Sequence, residues 1–300
     1  MSERYLRNIQ VTVGDLRVKE LYIRFRIRKE ITATPAEGMI DIYNLSEENE
    51  TRVRQRGQDA VIEVGYGEAA LERLFSGTVR RVERQRTDED NDGRKFSTHA
   101  ETILEGLDRI TRVHVGGALS VTAPGQSSPR AAFLKSYEEA VSTRTVVADA
   151  ITALGLQSGS LDAIPADAME KKGFKFNGDA RVFLTYHLRP YGLHWFIEDG
   201  IVHLSEYKKS SNDRAAGAVV TISERTGMIG TPTVTDDGIR VKTLINPHIG
   251  LNTRIKVDSE VLRNRGQELS GAVWKVVEAV HQGDNWGGPF ETMVEGRPLS

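Results

Sequence analysis

The clearest pattern in the chain is the alternation from Leu21 to Arg28, where Leu21, Ile23, Phe25 and Ile27 alternate with Tyr22, Arg24, Arg26 and Arg28. A period of two puts the aliphatic side chains on one face of a strand and three arginines on the other, so the strand is half buried. Similar patterning predicts strands at 9–13, 39–45, 60–66, 74–86 and 94–107, joined by the turn signals Gly14-Asp15, Gly65-Tyr66-Gly67 and Asn91-Asp92-Gly93. The last two strands read as one long hairpin. Its tip carries Asp88, Glu89, Asp90 and Asp92, and the arm before it carries Arg80, Arg81, Arg84 and Arg86, which reads as a solvated tip with cross-strand charge pairing. A twelve-residue calcium loop starting in DEDNDG would need an acid near its end; Thr98 and His99 stand there instead, and calcium is rejected.

Elsewhere the pattern is helical. Ser46 predicts an N-cap, with Glu47 and Glu48 at the positive end of a short helix and Arg52, Arg54 and Arg56 at the other end before Gly57. Residues 118–130 hold Pro124, Gly125, Ser127, Ser128 and Pro129 and read as a loop. Val146, Val147, Ala150, Ile151 and Leu154 then recur at helical spacing, closed by Gly155. A further helix fits 180–188, with Val182, Phe183, Tyr186 and His187 or Leu188 inward, stopped by Pro190 and Gly192. Two apolar runs, 193–198 and 201–205, flank Asp199-Gly200, a two-residue hairpin signal. Residues 207–217 read as an exit linker, after which strands return.

An internal repeat orders these parts. Phe75-Ser76-Gly77-Thr78-Val79-Arg80-Arg81-Val82 corresponds to Leu269-Ser270-Gly271-Ala272-Val273-Trp274-Lys275-Val276, an offset of 194. Further on, Phe96-Ser97-Thr98 faces Phe290-Glu291-Thr292. Further back, 59–64 faces 252–257 at an offset of 193, and Gly38–Asn44 faces Gly238–Asn246, with the capped helix as the extra piece of the first copy. The expected fold is mainly β with a mixed α+β insertion: two related tube-type β-barrel domains, 1–115 and 216–300, flanking a helix-and-hairpin domain at 116–215. A trimer of such chains would present six similar modules in a ring.

Composition narrows the function. The 300 residues carry 40 Lys+Arg against 42 Asp+Glu, a net charge of -2, which argues against a coat for nucleic acid or anionic membrane. No apolar run is long enough to span a bilayer, and the start, MSERYLRNIQ, has no signal-peptide pattern, so synthesis in the cytoplasm without export by that route is expected. The absence of cysteine excludes disulfides, thiolate metal sites and a cysteine nucleophile.

No catalytic constellation appears. His187, His194 and His203 have no carboxylate at HExxH or His-x-His spacing and read as satisfied, partly buried histidines. There is no GxSxG, Walker or GxGxxG motif, and Gly116-Gly117 is followed by Ala118 and Leu119. Glu138-Glu139 are adjacent carboxylates that say nothing about spacing across a cleft. Arg24, Arg26 and Arg28 read as a solvated or intersubunit face before a nucleic-acid path. The expected catalytic, cofactor-binding and metal-binding residues are therefore none.

The order of parts resembles a known family. Asn8–Val13, the Gly38–Ser46 strand-to-helix passage, LFSGTV at 74–79, YGLHWFIEDGIVHLSE at 191–206 and GTPTVTDDGIRVKTLINPHIGLNTRIKVDS at 230–259 look like the baseplate hub of bacteriophages with contractile tails. The resemblance implies a homotrimer whose two barrel domains per subunit form a pseudo-sixfold ring between the hexameric tail tube protein and the trimeric spike protein. It further implies contacts of the insertion with other baseplate proteins and a lumen that passes the tape-measure protein and DNA, with no specific nucleic-acid binding, no membrane insertion and no cofactor. Location in the virion, after assembly in the host cytoplasm, goes with it. Two other readings stand beside it: a peptidoglycan- or carbohydrate-processing enzyme with its active site in 116–215, and a tail or secretion-system adaptor that forms no tube.

Overall fold

The computed structural model describes residues 6–32, 35–55, 57–86, 109–116, 132–206, 219–265 and 272–299. The chain divides into two compact units: 1–28, 37–116 and 280–292 form one, and 29–36, 117–279 and 293–300 the other. The fold is mainly β, with antiparallel sheets, and among the described residues no strand path closes into a barrel.

In chain order the elements up to residue 116 are β1 (Arg7–Val13), β2 (Leu16–Val18), β3 (Ile23–Glu30), β4 (Glu37–Tyr43), α1 (Glu47–Val53), β5 (Asp59–Tyr66), β6 (Glu72–Arg86) and β7 (Arg109–Gly116). The first unit is an antiparallel sheet in the order β2-β1-β5-β6-β7-β4-β3. Alternation works as the sequence predicts. Ile23, Phe25 and Ile27 of β3 are buried with Ile40 and Ile42 of β4 and Val113 and Val115 of β7, while Arg24, Arg26 and Arg28 stand on the exposed face. Ser46 caps α1 by accepting from the Asn49 N–H at 3.3 Å, and Glu47, Glu48 and Glu50 lie in its first turn.

The long hairpin is corrected in its second arm. β6 pairs antiparallel with Arg109–Gly116, from Arg86 opposite Arg109 to Thr78 opposite Gly116, and the pairing shifts register between Val79 and Arg81. The arm expected at 94–107, its acidic tip and the Phe96-Ser97-Thr98 block lie outside the described residues. So do the 118–130 loop and the 207–217 linker.

The remaining elements are β8 (Ala132–Ser136), β9 (Val141–Ser142), α2 (Thr143–Ala153), β10 (Gln157–Ser158), β11 (Met169–Glu170), β12 (Lys175–Asp179), α3 (Ala180–Leu188), β13 (Leu193–Glu198), β14 (Ile201–Glu206), β15 (Val220–Ser223), β16 (Met228–Thr235), β17 (Gly238–Leu244), β18 (Arg254–Asp258), α4 (Glu260–Arg265), β19 (Val273–Asp284) and β20 (Glu291–Pro298). Two cores lie inside the second unit. One joins α2, α3, β13 and β14 through Val146, Val147, Ile151, Phe183, Leu184 and Trp195; the other joins β17, β18 and β19 through Val241, Ile255, Val257, Trp274 and Val276.

Three local expectations meet the structure. Helix α2 begins at Thr143, ahead of the first of the periodic apolar residues, Val146, because Ser142 accepts from the Arg144 N–H and sets the cap there. Helix α3 spans the expected residues, with Asp179 as its cap, but its inward face is different. Phe183 and Leu188 are buried as expected, but Val182 and Tyr186 are 51% and 67% exposed, and Ala180 and Leu184 are buried in their place. The β13–β14 hairpin turns at Asp199 and Gly200 with φ of 50° and 78°, two successive left-handed residues that match the twist of the strands.

The repeat read in the sequence has a counterpart in strand order. In the first unit β3-β4-β7-β6-β5 are successive neighbours; in the second, β16-β17-β20-β19-β18 follow one another in the same sense. The duplicated segments Gly38–Asn44, 59–64 and 75–82 fall on β4, β5 and β6, and their partners on β17, β18 and β19. The copies differ in detail. β1 is antiparallel to β5 while β15 is parallel to β18, and Val61 faces Ser76 whereas Arg254 faces Lys275, five residues further along than the sequence offsets would give.

Candidate functional site

The histidines examined in the sequence are dispersed. His187 on α3 meets the Glu170 carboxylate of β11, Nε2 to Oε1 2.8 Å, and the same oxygen accepts from the Thr143 hydroxyl at 2.8 Å. The imidazole also stacks on Phe183, centroids 4.5 Å apart, so the pair is locked against the helical core. No sequence spacing announces it, because 17 residues separate the partners. His194 is exposed on β13, not partly buried as expected, and His203 stacks on Phe196 at 5.3 Å. Glu138 and Glu139 are exposed. Among the described residues, no three His, Asp or Glu side chains converge as a metal site, and no helix is long and apolar enough to cross a membrane.

A cavity of about 250 Å³ in the second unit is lined by Thr32, His194, Ser205, Lys275, Glu295 and Arg297, among others. Its floor is Lys275 of β19, 3% exposed, whose ammonium donates to Ser205 Oγ at 3.0 Å and to the Glu206 carbonyl. Ser205 in turn donates to Asn252 Oδ1 at 3.2 Å. The network therefore links the β13–β14 hairpin to the β18–β19 region, and sequence reasoning missed it, since 70 residues separate Lys275 from Ser205.

Burial first, then repulsion by Arg297, pulls Lys275 down to about 8, with Glu206 opposing. Because the folded group releases its proton at lower pH than the unfolded one, the unfolded chain binds more protons above pH 8, and stability rises with pH through that window. Lys275→Met removes the titration. The wild type is expected to gain about 1–2 kcal/mol relative to Lys275→Met between pH 8 and pH 10 in urea unfolding, with no relative change below pH 7. A constant difference across that range would show that Lys275 titrates normally.

The arginine face of β3 is built by cross-strand register. Arg24 of β3 lies opposite Asp41 of β4, which lies opposite Arg112 of β7. Asp41 is buried and binds Arg112 in a two-pronged contact, 2.7 Å to Nε and 3.0 Å to a terminal nitrogen, with Arg24 at 3.5 Å. Beside it Tyr22 and Tyr43 stack with centroids 4.3 Å apart. Burial, then the hydrogen bond from its hydroxyl to Asp284 at 2.8 Å, pushes Tyr22 above the ordinary phenol range.

Comparison with known proteins follows this geometry. A family model described as "Baseplate hub gp41" matches residues 121–264, just under half of the chain. No curated protein matches it in sequence. Among solved structures, the fold is similar to a 43 kDa tail protein of prophage MuSo2 from Shewanella oneidensis, at 10% identity and TM-score 0.56, over 99% of this chain and 97% of that one. A tail protein from Neisseria meningitidis MC58 is similar at 11% identity and TM-score 0.58, over 97% and 96% of the two chains. An Escherichia coli protein, described as a component of the type VI secretion system with structural similarity to the T4 bacteriophage tail proteins gp27 and gp5, is similar at 11% identity and TM-score 0.54, over 97% and 77%. The family match falls on the second unit and the likeness in fold covers almost the whole chain; in sequence the second unit is similar to a baseplate hub family, and in fold the chain is similar to phage tail proteins.

Proposed function

We propose that this chain is the structural hub of a phage tail baseplate, with no catalytic activity. Three copies form a pseudo-sixfold ring that joins the hexameric tail tube to the trimeric spike and leaves a channel for the tape-measure protein and DNA. In this reading residues 1–115 and 216–300 are the two tube-like modules of each subunit, and 116–215 is an insertion that contacts other baseplate proteins. The partners are further copies of the chain, the tube and spike proteins, and the place of action is the virion.

The observation that carries the reading is the strand order found twice in one chain, β3-β4-β7-β6-β5 and β16-β17-β20-β19-β18. Two alike modules per subunit give a trimer six alike positions, which is what a threefold body needs to meet a sixfold one. Pairing around a ring would also cover edge strands that otherwise invite aggregation. The hub family model and the tail-protein folds support the same assignment.

Sedimentation of the purified chain, alone and with its spike protein, tests the stoichiometry, and negative-stain images test the ring. A trimer showing six densities around an open centre is expected. A monomer in both preparations, or a closed centre, overturns the proposal.

A further inference from the structure

Trp286 stands at the tip of the β19–β20 hairpin, 49% exposed, while Trp195 and Trp274 are 3% and 4% exposed. Tryptophan is enriched among the anchors of protein interfaces, and this one is held rigidly. Asp284 accepts from the N–H groups of Trp286 and Gly287 at 2.8 and 3.1 Å, and Asn285 bonds both the Ile23 N–H and the Leu21 carbonyl at 2.9 Å. Tyr22 stacks under the indole at 4.9 Å. The ring is therefore fixed at the end of an aromatic stack formed by Tyr22 and Tyr43, with Arg24 over Tyr43 at 5.7 Å.

The same face of the sheet carries an arginine excess. Arg24 and Arg112 share a single carboxylate, Asp41, and Arg26 lies opposite Met39. The other charged rows balance: Arg28 is opposite Glu37, and Arg81 is 2.7 Å from Glu83. The acid that offsets Arg24 and Arg112 is buried while Arg24 is 46% exposed, so the outward field is positive within a chain of net charge -2. Preordered Trp, Tyr and Arg side chains in one patch are the composition of protein-binding hot spots.

We propose that the β3–β4–β7 face and Trp286 together form a docking surface for an acidic, aromatic-bearing segment of a partner protein. The segment's carboxylates meet Arg24, Arg26 and Arg112, and its aromatic side chain covers the indole. Nucleic acid is the less favoured occupant, since Glu37, Asp41 and Glu83 offset most of the arginines on this face and leave a small cationic excess that one or two carboxylates satisfy and a backbone with a charge at every nucleotide does not. The surface lies wholly in the first unit and does not depend on the ring arrangement.

The exposure pattern supplies a reporter. Acrylamide quenching of the intact chain reads mainly Trp286, because the other two tryptophans are buried. A short Glu-rich peptide carrying one phenylalanine is expected to protect Trp286 from acrylamide, and a Lys-rich peptide of equal length is not. Protection should weaken at least tenfold in 1 M salt, where screening acts within about 3 Å, and by a similar factor in Arg26→Glu. Trp286→Ala should lose peptide binding measured by anisotropy of a labelled peptide while keeping its circular dichroism. Absence of protection overturns the proposal. So does equal protection in Arg26→Glu, and so does a single-stranded oligonucleotide that protects where the acidic peptide fails.

Discussion

Replacing Lys29 by methionine is expected to cost about 3–5 kcal/mol of folding stability, a large share of what a domain of this size has. Lys29 and Glu198 lie 3.0 Å apart with side chains 7% and 3% exposed. In water such a pair contributes little, but here both charges have left the solvent and each is the other's compensation. Removing the ammonium takes from the buried Glu198 carboxylate the cation 3.0 Å away from it. The double variant Lys29→Met/Glu198→Leu discriminates the cause: it should recover most of the loss, because two apolar side chains of like volume no longer need pairing. Urea midpoints of the two variants decide it. If the double variant is as unstable as the single one, the loss comes from packing and the ion pair is irrelevant.

That pair also shows where sequence reading stops. Lys29 follows the last residue of the β3 alternation, and Glu198 is the last residue before an Asp-Gly turn; nothing in either segment connects residues 169 apart. Local rules read what local chemistry decides. The period-two strand β3, the cap at Ser46 and the Asp199-Gly200 turn are set within a few residues, and all are where the sequence predicts them. The second arm of the long hairpin was misplaced for a related reason. The partner of β6 among the described residues is Arg109–Gly116, and its other side is held by β4, which pairs β7 from Tyr43 opposite Ile110 to Glu37 opposite Gly116, a pairing no local signal carries. The network at Lys275 and the aromatic-arginine face need the assembled sheets, so neither was legible. Only the three arginines in alternation were.

The α3 misreading leads to the second large effect. Helix α3 is apolar at Ala180, Val182, Phe183, Leu184, Tyr186 and Leu188, nearly all round, so no stripe can be taken from its nine residues. The contacts settle it. Phe183 is the hub of an aromatic group, with Phe176 at 4.8 Å, Phe133 at 5.0 Å, Phe174 at 6.3 Å and the His187 ring at 4.5 Å. Phe183→Ala removes a ring that is 3% exposed from a core whose walls are held by two short helices and two-stranded ladders, and the cavity cannot collapse fully. The expected cost is about 3–5 kcal/mol, together with a release of His187 from the orientation that meets Glu170. Val182→Ala and Tyr186→Ala, one residue before and three after, should each stay within about 0.5 kcal/mol because their side chains face solvent. Thermal unfolding of the three variants reads the helix face directly: a Tyr186→Ala loss equal to that of Phe183→Ala would place the buried stripe where the sequence alone had put it.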